Sequence, residues 1–89
     1  MRLRPELILL DINLPNLDGL EVSRRVLRTA PETKIIYVTT NSDPELVEVA
    51  MSNGVLGYVL KNEAVNDLLR AIQSVLRGEK FISHQLRHY

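Results

Sequence analysis

Short apolar runs alternate with longer amphipathic stretches along the chain. Leu7-Ile8-Leu9-Leu10 is continuously apolar and passes at once into Asp11 and then Asn13, Pro15, Asn16, Asp18 and Gly19. Its length and the turn residues after it predict a strand over 7–11, buried on both faces. Leu20, Val26 and Leu27 then share one side of a helical repeat, with Glu21, Arg24, Arg25 and Arg28 largely elsewhere, which predicts a helix over 19–30 that Pro31 ends. Lys34 to Thr39 is apolar and β-branched, a second strand. Asp43 as N-cap and Pro44 in first position open a helix over 44–53, with Leu46, Val47 and Ala50 inward and Gly54 closing it in left-handed geometry. A third strand is read over 56–60. The last helix, 64–77, carries Val65, Leu68, Leu69, Ile72, Val75 and Leu76 at the 3.6-residue repeat until Gly78 stops it. The tail after it holds a short mixed segment around Phe81 and Ile82.

The order β-α-β-α-β-α implies an α/β domain with a three-stranded parallel sheet and right-handed crossovers. The first two helices are expected on one face and the third on the other, which accounts for strands that are apolar throughout.

Totals narrow the function classes. The 89 residues make one small domain, and eleven basic against eleven acidic residues give no electrostatic case for binding nucleic acid or an anionic membrane. The scattered arginines read as a solvated face. Without cysteine there are no disulfides or thiolate metal sites, which fits a cytoplasmic protein. No apolar run is long enough to span a bilayer, and Arg2, Arg4 and Glu6 give the start a polar character unlike a signal peptide. His84 and His88 lie four apart, but no further ligand stands near them to make a metal site.

Three polar residues stand where the strands end: Asp11, Thr39 and, just past the third strand, Lys61. The C-terminal ends of parallel strands share one rim, where open α/β folds place their sites. Singly, each has an ordinary reading: Asp11 as a loop cap, Thr39 as a β-branched strand end, Lys61 as a solvated lysine. Together they suit phosphoryl chemistry. A carboxylate forms an acyl phosphate, an ammonium offsets phosphoryl charge, and a hydroxyl donates to one oxygen. Mg²⁺ normally completes such a site, and Asp11 with the Asn13 backbone carbonyl would supply two of its oxygen ligands.

The segments "LILLDINLPNLDGLEV", "IIYVTT" and "GVLGYVLKNE" resemble the second part of the receiver domain of two-component response regulators. Asp11, Pro15 and Gly19 match the family's Asp-x-x-x-Pro-x-x-x-Gly pattern, Thr39 and Thr40 its hydroxyl residue and the small residue after it, Lys61 its lysine, and Tyr58 its switch aromatic. The closing "AIQSVLRGEKFIS" resembles receivers of the NarL/FixJ type, which carry a helix-turn-helix output domain. The resemblance implies a truncated flavodoxin-like fold and a non-enzymatic signalling role in the cytoplasm. It implies that Asp11 accepts a phosphoryl group from a sensor histidine kinase, with Thr39, Thr40 and Lys61 binding it. Thr39 would then move toward the phosphoryl group and Tyr58 would turn inward.

Asn62 stands where many relatives carry proline, and the chain begins at the family's third strand, without the acidic pair that binds Mg²⁺. Metal binding is therefore expected to be weak or absent, and phosphorylation impaired. The strand at Leu7–Asp11 is expected to be an open edge and the last helix to expose part of its stripe, which calls for a homodimer or a complementing N-terminal segment. The competing class is a receiver-like binding or dimerisation module that works without phosphate. A phosphatase using Asp11 is disfavoured, because the second acid such enzymes place shortly after the nucleophile is Asn13 here.

Overall fold

Two hydrophobic clusters lie on opposite faces of a parallel sheet. The computed structural model describes residues 6–11, 19–83 and 86. The strands are β1 (Leu7–Asp11), β2 (Lys34–Thr39), β3 (Gly57–Leu60) and β4 (Phe81–Ile82), in the spatial order β1-β2-β3-β4. The helices are α1 (Gly19–Thr29), α2 (Pro44–Ser52) and α3 (Ala64–Leu76), with a 3₁₀ turn over Lys61–Glu63. The α/β class, the parallel sheet and the placing of helices on both faces agree with the reading of the sequence.

The strand count does not: among the described residues the sheet has four strands, not three. Phe81 and Ile82 pair in parallel with Gly57 and Tyr58, and Phe81 N–H donates to the Leu56 carbonyl at 2.9 Å. A two-residue strand is too short to leave a periodic signal, and only its partner defines it. With β2 on one side and β4 on the other, β3 is buried along its whole length.

Side-chain alternation sorts the core. Ile35, Tyr37, Tyr58 and Leu60 face α1 and α2, where Val47 and Ala50 complete the cluster with Leu20, Val26 and Leu27 at its margin. Ile36 and Val59 face α3 and meet Ala71, Val75 and Phe81. Gly57 belongs to this contact: a β-carbon there would stand 2.8 Å from Ile36 Cγ1 and 3.2 Å from Val75 Cγ2. Asp43 caps α2 by accepting Glu45 N–H at 2.9 Å, and Gly54 ends that turn at φ +91°.

The face shared by β1 and α3 is covered unevenly. Leu9 on β1 is 45% exposed, and Val65, Leu69 and Leu76 on α3 are 97%, 66% and 43% exposed. These α3 residues are the exposed part of the stripe read from the sequence; its Val75 is buried and its Ile72 packs on the core, and Asp67 and Ala71, outside the stripe, are buried beside them. Among the described residues no helix is long and apolar enough to cross a membrane.

Candidate functional site

Asp11 ends β1 and Thr39 ends β2, while Lys61 begins the 3₁₀ turn after β3. Parallel register sets their relation: Asp11 pairs with Val38 and Thr39 with Leu60. The rim so formed brings Lys61 Nζ to 2.6 Å from Asp11 Oδ2, with both side chains a little over one third exposed. The pair bridges the end of β2, and its solvent access leaves the carboxylate reachable.

Thr39 is fully buried. Its Oγ1 accepts the N–H of Asn41 at 3.0 Å. Asn41 is a junction that sequence reasoning missed: its carbonyl accepts the Tyr58 hydroxyl at 2.7 Å, and its side-chain oxygen accepts Asp43 N–H at 2.8 Å. Asn and Asp two residues apart just before a helix are the signal that could have found it, since both favour side-chain-to-backbone turns. Thr40 beside it is exposed.

Tyr58 lies inward with no exposed surface, the position that the resemblance assigns to the aromatic after switching. Burial pushes its phenol up to about 12, and the charge of Asp43 and the neighbouring Tyr37 act in the same direction. The two rings are 6.3 Å apart. Tyr37 donates its hydroxyl to the Gly19 carbonyl at 2.8 Å and lies 2.9 Å from Ser23 Oγ, which ties the start of α1 to β2. Ser83 also escaped the sequence reading. It is fully buried and accepts Leu60 N–H at 2.9 Å, one residue before Lys61.

The family implies Mg²⁺ at this rim. Asn13, the second ligand expected from the sequence, lies outside the described residues. Asp11 Oδ2 is engaged by Lys61, and no group of three or more His, Cys, Asp or Glu side chains gathers among the described residues. The described residues therefore do not fit a divalent-cation site.

A parallel sheet with an aspartate and a buried threonine ending neighbouring strands, a lysine just past the next strand in contact with the aspartate, and a buried aromatic three residues before that lysine matches one class in particular. Residues 1–73 match the family model described as the response regulator receiver domain, and the chain belongs to that family. Among curated relatives it is 32% identical to the response regulator GacA of Pseudomonas aeruginosa over 94% of this chain and 39% of that protein. It is 34% identical to the oxygen regulatory protein NreC of Staphylococcus aureus over 97% of this chain and 40% of that protein. The chain thus spans about two fifths of the length of these relatives. Among solved structures, a LuxR-family response regulator from an Aurantimonas species superposes with a TM-score of 0.85 at 26% identity, over 92% of this chain and 59% of that one. The isolated receiver domain of RcsB from Salmonella enterica serovar Typhimurium, solved with the phosphomimetic BeF₃⁻, gives 0.80 at 26% identity over 91% and 61%.

Proposed function

We propose that this receiver acts as a phosphoacceptor, with Asp11 taking a phosphoryl group from the phosphohistidine of a sensor histidine kinase. The observation that carries the reading is the Asp11–Lys61 contact. A carboxylate oxygen of Asp11 attacks phosphorus, the N–P bond of the donor breaks, and the imidazole leaves with the electron pair. The product is an acyl phosphate on Asp11. The Lys61 ammonium offsets charge on the phosphoryl oxygens, and Thr39 and Thr40 serve as hydroxyl donors to them. No step is routed through Mg²⁺, since the described residues do not fit it.

The reading includes control of a DNA-binding output domain, which the LuxR-family likeness supports. It also includes a homodimer or a complementing N-terminal segment over the exposed flank at Leu9, Val65, Leu69 and Leu76.

Acetyl phosphate tests the proposal. The mass of the protein is expected to rise by one phosphoryl group, and Asp11→Asn to abolish the rise. A gain that survives this substitution, or none in the unsubstituted protein, overturns it. In the latter case partner binding that also survives Asp11→Asn identifies a module that works without phosphate.

A further inference from the structure

The last rung between β3 and β4 is not made by backbone alone. The Tyr58 carbonyl accepts the N–H of Ser83 at 2.9 Å. One step further along β3, Leu60 N–H finds no carbonyl on β4, whose two residues have already ended. It donates to Ser83 Oγ at 2.9 Å instead. Leu60 is 3% exposed and Ser83 has no exposed surface, so water does not stand in for the hydroxyl.

This bond sits where the chain changes direction. Leu60 is still extended, at φ −76° and ψ 135°, and the 3₁₀ turn starts at Lys61. The peptide orientation at Leu60 sets the path by which the Lys61 side chain leaves the sheet toward Asp11. The segment that supplies Ser83 is itself anchored. Leu86 N–H donates to the Ser83 carbonyl at 2.9 Å, and Leu86 is buried in the cluster that holds Tyr58, Val47 and Leu60.

We propose that Ser83 is a positioning residue for Lys61: its buried hydroxyl fixes the end of β3 and links the segment after α3 to the Asp11–Lys61 pair. The role at the phosphoryl step rests on the phosphoacceptor reading, whereas the geometric coupling does not. A movement of the tail at Phe81–Ser83 then reaches the site through one hydrogen bond, and phosphorylation at Asp11 reaches the tail by the same route.

The test reads the pair directly. The ¹³C resonance of the Asp11 carboxyl is recorded in the unphosphorylated full chain for wild type, Lys61→Ala, Ser83→Ala, Ser83→Cys and Ser83→Thr. Cysteine keeps the volume but accepts poorly, and threonine keeps the hydroxyl. The Ala and Cys variants are expected to move the Asp11 resonance toward its Lys61→Ala position, with Leu60 amide exchange about tenfold faster or more, and Thr to restore both. Apparent affinity for beryllofluoride should fall about threefold to tenfold in the Ala and Cys variants, and not further when Lys61→Ala is already present. A folded Ala or Cys variant whose Asp11 resonance matches wild type overturns the proposal, whatever its melting temperature. A wild-type protein that ignores beryllofluoride removes the phosphoacceptor reading and leaves the Asp11 resonance to decide on Ser83.

Discussion

Lys61 Nζ meets Asp11 Oδ2 at 2.6 Å although their strands are not neighbours; the two side chains reach each other over the end of β2. The contact requires β1 and β3 to stop level with each other. The register achieves this, since Asp11 lies beside Val38 and Leu60 beside Thr39.

Because both partners are more than one third exposed, the pair is expected to contribute little to stability. Lys61→Met should change the unfolding free energy by less than about 1 kcal/mol in urea titrations. The same substitution should strongly reduce phosphorylation by acetyl phosphate, because charge on the phosphoryl oxygens would lose its cation. A large loss of stability with unchanged phosphorylation would reverse that assignment.

Tyr58 makes stability depend on alkaline pH. Its phenol is raised from 10 to about 12 in the folded chain by burial, with the charge of Asp43 and the neighbouring Tyr37 contributing less. A folded value above the unfolded one means that the contribution is complete below pH 10 and is lost as pH rises from there through 12. The loss is expected to be about 3 kcal/mol at most, and Tyr58→Phe should flatten it. Chemical denaturation between pH 9 and pH 12 measures the slope.

Gly57→Ala is expected to destabilise by about 1–3 kcal/mol. The added carbon would meet Ile36 at 2.8 Å and Val75 at 3.2 Å, so the sheet and α3 would have to separate. The shift should appear in the denaturant midpoint with little change of slope.

The exposed flank makes a prediction of the opposite kind. Val65→Gln with Leu69→Gln should alter monomer stability by no more than about 0.5 kcal/mol, since both side chains are mostly in solvent. Sedimentation velocity at micromolar concentration should show less self-association than wild type. Unchanged association would place the contact elsewhere.

What the sequence revealed and what it hid follow from the range of the interactions involved. The strand at Leu7–Asp11, the cap at Asp43 and the stop at Gly54 rest on local chemistry, so local patterns disclose them. Convergence of Asp11 and Lys61 on one rim followed from strand order alone, because parallel strands align their ends. The Phe81–Ile82 strand and the Ser83 hydroxyl depend on a partner far along the chain and have no periodicity of their own. Exposure of part of the α3 stripe was expected, but which part was hidden. The helix's apolar stripe is wider than the face it buries, and the 3.6-residue repeat does not say which edge of a wide stripe meets the sheet. Asn41 was missed because two of its three bonds use the backbone, which residue identity does not encode.

The late position of β4 has a consequence for how the molecule comes into being. During synthesis from the N-terminus, β3 has a neighbour on one side only until Phe81 to Ser83 have left the ribosome. The end of β3 thus acquires the Leu60–Ser83 hydrogen bond only after Asp11, Thr39 and Lys61 have all been made, so chains whose translation halts before Ser83 lack that bond.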